Sequence, residues 1–294
     1  MSRKPTLLVI DAGHFEVSYV INPWMTPDAW SKDRIGHFRA AQTASAALEQ
    51  ALVKAGAEVI RLPGAAGLPD MVFPANAAVV LDGRALVARF RYPERQGEER
   101  LFLKALEDFK ARGLLEVVEQ YPAGCFQEGA GDCIWDATRQ HFWAGYGQRS
   151  IREAIAVTEE FFDVPVVPLE LASPRFYHLD TCFLALSGGE IVYYPPAFTK
   201  EALATIRDAA PKEKLIEASD EDAAGFCVNA VNMGRQIVMA QPRDGLRAIL
   251  SERGYTVTGV DLSPFIMAGG GAYCMTLRLD RARAADAQVQ RAAQ

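Results

Sequence analysis

Near the end of the chain, three adjacent glycines, Gly269-Gly270-Gly271, lead through Ala272-Tyr273 into Cys274 and an apolar run, Met275-Thr276-Leu277. Glycines in such a place let the backbone turn tightly and come close to a ligand. A thiol at the mouth of the strand that follows can meet a bound electrophile. The alternative for Cys274 is a buried structural cysteine, the common fate of a free thiol. A thiol nucleophile needs a proton carrier and groups that hold its electrophile, and the chain offers candidates for both. His178-Leu179-Asp180 alternates, so on a strand the imidazole and the carboxylate point to one side. His178 would then handle protons while Asp180 holds a cation; otherwise the two are an ordinary pair at a strand end. Glu128-Gly129-Ala130-Gly131-Asp132 sets two carboxylates on a glycine-flanked loop, which suits a planar guanidinium with its five donors. A calcium loop would need denser oxygen ligands, and a phosphate loop would need a following Gly-Lys-Ser/Thr; a solvated turn is the remaining alternative. Asn76, in Phe73-Pro74-Ala75-Asn76, has a neutral amide that can donate to or accept from a planar substrate group, or it serves turn chemistry. Arg91 and Arg149 are candidate clamps for a substrate carboxylate, or surface arginines.

Positioning these residues requires a frame, and the chain repeats one. Three segments, 77–90, 181–194 and 226–240, read as hairpins whose turns are Asp82-Gly83, Gly188-Gly189 and Met233-Gly234. Amphipathic helical patterns follow each, over 98–112, 199–209 and 243–253, and then further strands over 115–118, 215–218 and 256–260. Two less regular copies complete the set. The first joins strands 7–10 and 18–21 to a helix over 35–55 and a strand over 58–62. The second joins strands 131–135 and 141–145 to a helix over 150–162 and a strand over 164–169. A strand over 272–279 closes the series. The chain is thus expected to be α/β, one domain over 1–279 built from five units of hairpin, helix and strand, with a polar tail over 280–294. The candidate residues cluster at the entrances to these units. In a closed ring of repeats, such entrances converge on the axis.

Composition agrees with a globular protein that has ample core. Half of the 294 residues are hydrophobic and 23% are charged, with a formal net charge of −6. No basic run favours nucleic acid. No apolar stretch approaches the roughly 20 residues that span a bilayer, and the start of the chain does not read as a signal peptide. Cys125, Cys133, Cys182, Cys227 and Cys274 are odd in number and form no CxxC. That usage fits a reducing cytoplasm better than a disulfide framework or a zinc site.

In their order and spacing, these residues resemble the guanidine-modifying enzymes of the pentein fold: arginine deiminases, dimethylarginine dimethylaminohydrolases, amidinotransferases and arginine dihydrolases. The resemblance runs from Leu7 to Leu279. It implies a five-bladed α/β propeller, in agreement with the five units counted. It implies Cys274 as the nucleophile toward the guanidinium carbon, His178 as general acid/base, and Asp180 as a substrate-binding carboxylate. Glu128 looks like the catalytic carboxylate that opens the family's Glu-Gly-Gly-Asp loop. The loop here has one extra residue, which leaves open whether Glu128 or Asp132 takes that place. Arg149 matches the carboxylate-binding arginine of a Gly-x-x-x-Arg-Thr/Ser motif, and Arg91 resembles the second such arginine. Asn76 stands where deiminases usually carry an aspartate. Phe-x-Ala-Asn-Ala, together with Tyr19-Val20-Ile21-Asn22-Pro23-Trp24-Met25, is similar to the arginine dihydrolases, and implicates Asn22 at the substrate. Aspartate favours a cationic guanidinium and release of the neutral ureido product. Asparagine has no charge preference and can retain citrulline for a second hydrolysis. The resemblance therefore implies a cytoplasmic hydrolase that takes arginine to ornithine, ammonia and carbon dioxide through a covalent thiol adduct. Its partner is a small guanidino substrate, with no metal or organic cofactor; self-association is left open. Deimination, methylarginine hydrolysis, amidino transfer and a non-catalytic binding pentein are the alternatives.

Overall fold

The computed structural model of the protein describes residues 4–283. Its strands form five separate three-stranded sheets. Blade two shows the common pattern. Ala78–Leu81 and Arg84–Val87 pair antiparallel across Asp82-Gly83, and the helix Pro93–Ala111 then carries the chain to Val117–Gln120, parallel to the second strand. Both turn residues have positive φ, 50° and 70°, as a two-residue hairpin requires. The same order gives blade three (Cys133–Asp136, His141–Tyr146, helix Ala154–Phe162, Val166–Glu170). It also gives blade four (Phe183–Ala185, Ile191–Tyr193, helix Lys200–Asp208, Leu215–Glu217) and blade five (Val231–Met233, Gln236–Ala240, helix Asp244–Glu252, Thr256–Val260).

Blade one is assembled from both ends of the chain. Thr6–Ile10 runs parallel to Glu58–Leu62 after the helix Arg34–Lys54, but its antiparallel partner is Leu277–Arg278. The expected hairpin partner over 18–21 is therefore not a strand. Ile21 instead buries its side chain in the core and gives its carbonyl to Arg149. The strand expected over 272–279 shrinks to Leu277–Arg278 because Gly271–Thr276 winds into a turn, with Met275 N–H donating to Gly271 O and Thr276 N–H to Tyr273 O. The helix of blade two begins five residues before its expected start, with Pro93 at the first helical position, which a missing N–H suits.

The ring closes through side chains. Strand residues alternate between the two faces of a sheet, and here each face packs on a neighbouring blade. Leu8 and Ile10 join Val80 and Val87 of blade two, while Leu7 and Val9 join Val231 and Val238 of blade five. Val79 and Leu86 meet Trp135 and Phe142; Trp143 and Leu169 meet Phe183 and Ile191; Leu184 and Val192 meet Ile237 and Met239. Five apolar seams thus link blades one to five and back to one. Burial on both faces explains why the strands read as continuous apolar runs rather than alternating ones. Past the last strand, Asp280 accepts the Thr6 N–H at 2.9 Å and the Arg283 N–H donates to Asp82 at 2.8 Å. The remainder of the expected tail, 284–294, lies outside the described residues. No helix among the described residues is long and apolar enough to cross a membrane.

Closure by two residues makes Leu277 a sensitive point. It is buried between blades one and two. Leu277→Ala is expected to lower the unfolding free energy by about 2–5 kcal/mol, read from urea denaturation. Stability equal to the parent protein would show that the C-terminal strand does not hold the ring together.

Candidate active site

Each blade is entered through a short turn, and the turns carry the polar residues. Pro74–Ala77 holds Asn76, Gly129–Gly131 lies between Glu128 and Asp132, and Leu179–Thr181 follows His178 and holds Asp180. Asn229 ends a similar turn before blade five, its N–H donating to Phe226 O, and Cys274 lies in the turn before the closing strand. Side chains from all five entrances meet, and none of these seven residues exposes more than 2% of its surface. The expected strand geometry of His178-Leu179-Asp180 is replaced by a tight turn, with the Thr181 N–H and hydroxyl both donating to His178 O. The two side chains accordingly have different partners. His178 reaches Glu128, and Asp180 reaches Cys274.

Glu128 is the most heavily engaged acid. Its Oε2 lies 2.8 Å from Arg149 Nη1 and 2.8 Å from His178 Nε2, and its Oε1 accepts the Arg91 N–H at 3.1 Å. Burial opposes its ionisation, but Arg149, the His178 hydrogen bond and Arg95 outweigh burial and hold it well below the usual carboxylate range. Asp132 accepts the Ser150 hydroxyl at 2.6 Å and the Leu179 N–H at 3.0 Å, and lies 3.9 Å from His178 Nε2. Burial dominates there and pushes Asp132 up to about 6. Of the two loop acids, Glu128 is thus the anion that faces the imidazole. An ionised Glu128 accepts the proton on Nε2, so the lone pair of the neutral ring lies on Nδ1.

Asn76 lies next to that nitrogen, with Nδ2 3.4 Å from His178 Nδ1 and donating to Glu128 O at 3.1 Å. Its Oδ1 accepts from Arg95 Nη1 at 2.8 Å. Arg95 is itself locked by two hydrogen bonds to Glu98, at 2.9 and 2.8 Å, and by one to Asp70 O. The amide is therefore oriented, oxygen toward Arg95 and nitrogen toward the imidazole. A methyl group on Gly131 would lie 2.3 Å from Asn76 Nδ2 and 3.6 Å from Asp180 Oδ2, so the bare backbone there lets these two groups approach.

Cys274 Sγ lies 3.2 Å from Asp180 Oδ2 and 3.0 Å from Asn229 Nδ2. Burial and then the Asp180 charge push the thiol well above its ordinary value, and burial pushes Asp180 up to about 7. Asp180 Oδ1 and Asp70 Oδ1 are buried without a hydrogen-bond partner. The glycine triplet makes room for protein rather than for ligand alone: a Cβ on Gly270 would strike the Phe73 ring at 2.2 Å, and one on Gly271 would lie 2.8 Å from Asn229 Oδ1.

The remaining expected residues lie around this centre. Arg149 is buried between the Tyr92 and Tyr177 rings, at 4.7 and 4.6 Å, and also donates to Ile21 O. Asn22 is buried and used internally, donating to Ala268 O and accepting the Trp24 N–H. Arg91 meets the site through its backbone, while its side chain lies at the surface and donates to Gln148 O. The buried arginine of that region is Arg95, which the late helix start assigned to a loop. Arg95, Glu98 and Asn229 were the residues the sequence reading left out of the site. Asn229 had a legible signal, since Phe226-Cys227-Val228-Asn229-Ala230 repeats the spacing of Phe73-Pro74-Ala75-Asn76-Ala77. Among the described residues, no three His, Cys, Asp or Glu side chains are grouped to hold a metal ion.

A family model described as N,N dimethylarginine dimethylhydrolase, eukaryotic, matches residues 22–281. The bifunctional arginine dihydrolase/ornithine cyclodeaminase ArgZ of Synechocystis sp. is 39% identical over 95% of this chain, and the chain spans 38% of the length of that protein. The N(G),N(G)-dimethylarginine dimethylaminohydrolase of Mycobacterium tuberculosis is 36% identical, over 90% of this chain and 82% of its own length. Among solved structures, the N-terminal domain of ArgZ, with an asparagine-to-serine substitution and covalently bonded to a reaction intermediate, superposes with a TM-score of 0.86 at 37% identity, covering 95% of this chain and 99% of that one. With a family model matched across most of its length and relatives of this identity, the chain belongs to the dimethylarginine dimethylaminohydrolase family, within the guanidine-modifying penteins.

Proposed function

We propose that this protein is a cysteine-dependent hydrolase of guanidine groups that takes L-arginine through two hydrolyses to L-ornithine, ammonia and carbon dioxide. The fixed amide of Asn76 supports the second hydrolysis. A guanidinium has only N–H donors, whereas the ureido group of citrulline adds a carbonyl acceptor. An amide whose oxygen is held by Arg95 offers the site its nitrogen, a donor matched to a ureido oxygen and indifferent to substrate charge. An aspartate there would offer only acceptors and would favour the cation. The similarity to ArgZ, named an arginine dihydrolase, points the same way.

In this reading the guanidinium pairs with Asp180, whose Oδ1 is a free acceptor, and Asp70, beside the Tyr19 hydroxyl, turns a carboxylate oxygen to the substrate's ammonium group. Charge explains the order of events. The thiol stays protonated in the empty site because burial and Asp180 oppose a thiolate. A bound cation offsets Asp180 and favours loss of the thiol proton. That proton passes to His178 Nδ1, sulfur bonds to the guanidinium carbon, and the imidazolium so formed returns the proton to the nitrogen that departs as ammonia. His178 Nδ1 next takes a proton from water as the adduct is hydrolysed and sulfur leaves. Glu128 holds the imidazole in the required tautomer and stabilises its charged form, as Arg149 in turn holds Glu128. In the second cycle water and the thiol act on the ureido carbon, and ornithine is released while that carbon leaves as carbamate, which decomposes to ammonia and carbon dioxide.

Product analysis with L-arginine tests the proposal. Two ammonia per ornithine are expected from the parent protein and none from Cys274→Ser, while Asn76→Asp should shift the output toward citrulline. Citrulline as the parent's end product would overturn the reading of Asn76. Dimethylamine from methylarginine, with arginine untouched, would favour the activity named for the Mycobacterium tuberculosis relative.

The raised carboxyls give a second test. Asp180 at about 7 and Asp132 at about 6 are partly protonated near neutral pH. A bound cation favours their ionised forms, so binding should expel protons, and affinity should rise with pH and level off above about 7. Calorimetry of arginine binding to Cys274→Ser, in two buffers of different ionisation enthalpy, reads the proton release. Equal heats in both buffers would contradict it.

A further inference from the structure

Asn229 has no part in the proton transfers above, yet it is fully buried and touches the sulfur. We infer that Asn229 is a positioning residue that sets the reactivity of Cys274, by aiming an amide N–H at the sulfur and fixing the loop that carries it. The inference rests on Cys274 being the nucleophile. Three hydrogen bonds define the amide. Oδ1 accepts the Cys274 N–H at 3.1 Å, while Nδ2 donates to Asp180 O at 3.1 Å and to Cys274 Sγ at 3.0 Å. A backbone donor and a backbone acceptor cannot exchange roles, so the amide cannot flip, and its nitrogen must face the sulfur. The main chain adds a further tie, as the Tyr273 N–H points at Asn229 O at 3.4 Å.

The two neighbours of the sulfur act in opposite senses. Asp180 Oδ2, at 3.2 Å, stabilises S–H and repels S⁻. The Asn229 N–H stabilises S⁻ more than S–H, because a donor binds an anion more strongly than a neutral acceptor. Once a cationic substrate engages Asp180, the Asn229 donor remains on the sulfur through the attack. The third glycine of the triplet fits this assignment, since a side chain at Gly271 would displace the Asn229 oxygen. Asn76 is the counterpart in blade two, an amide with a fixed oxygen that turns its nitrogen to the imidazole.

The test is Asn229→Asp, which keeps an acceptor for the Cys274 N–H but turns an oxygen toward the sulfur, compared with Asn229→Ser, whose hydroxyl still offers a small donor. Alkylation of Cys274 by iodoacetamide, followed by mass spectrometry across pH, needs no substrate. The expected result is about tenfold slower alkylation at a given pH for Asn229→Asp, equivalent to about one unit of upward shift in the thiol, with a smaller effect for Asn229→Ser. With arginine, kcat should fall while KM stays near the parent value. Alkylation profiles of both variants that superpose on the parent's would overturn the inference. Loss of alkylation together with unfolding in Asn229→Asp, but a parent-like profile in a folded Asn229→Ser, would do the same. A parent protein that turns over no arginine would count against the proposed function and leave the alkylation result to decide this one.

Discussion

Glu128 is a carboxylate with no exposed surface, shared between a guanidinium and an imidazole. An unpaired charge in such a place is very costly, and a paired one is tolerated only when its partners are well placed. The arrangement of the molecule follows from that constraint. Arg149 comes from the segment after the second strand of blade three, His178 from the entrance to blade four, and the Arg91 N–H from the exit of the blade-two hairpin. One carboxylate therefore fixes three blades relative to one another. Arg149 also grips the Ile21 carbonyl, and Asn22 beside it is tied to Ala268, just before the glycine triplet. The charge at the centre is thus tied through Ile21 and Asn22 to the loop that carries Cys274.

A dry centre also accounts for the unequal behaviour of the other acids. Asp70, Glu98, Asp132 and Asp180 are all buried, and the buried cations that face them are Arg95 and Arg149. Two fixed cations leave several carboxyls without full compensation, and burial raises Asp70, Glu98, Asp132 and Asp180 while Glu128 alone is held down. The centre is thus short of positive charge, a condition that favours a cation there. Burial pushes Glu98 up, against the two hydrogen bonds from Arg95 that favour its charged form.

The repeat was legible because each hairpin carries its own punctuation. Asp82-Gly83 requires positive φ at both positions, and the flanking runs are apolar throughout because both faces of each blade are covered. The residues of the central cluster were legible for a related reason: polar side chains stood out just ahead of apolar strands, at Asn76, Glu128, His178 and Asp180. Blade one was misread because half of its hairpin lies at the far end of the chain. A pattern search pairs neighbours, and Ser18–Ile21 is the apolar neighbour that chance supplied. Arg95 and Glu98 were missed for a different reason. On a helix that reads as amphipathic, an arginine and a glutamate three apart look like a surface pair, and only the tertiary packing against Asp70 and Asn76 reveals them as buried.

Asn76 and Asn229 show why one fold can change its chemistry by small steps. Both sit at blade entrances, both have an oxygen held by a fixed donor, and their nitrogens face the His178 imidazole and the Cys274 sulfur. The holding donors differ. Arg95 is a side chain on a helix that can be exchanged only together with its buried partner Glu98, whereas the Cys274 N–H belongs to the backbone and cannot be removed by any substitution short of proline. The environment of the imidazole is therefore open to variation in sequence, and that of the thiol is set by the path of the chain. In a fold shared by enzymes that act on different guanidines, this places adaptable chemistry at blade two and invariant geometry at the closing turn.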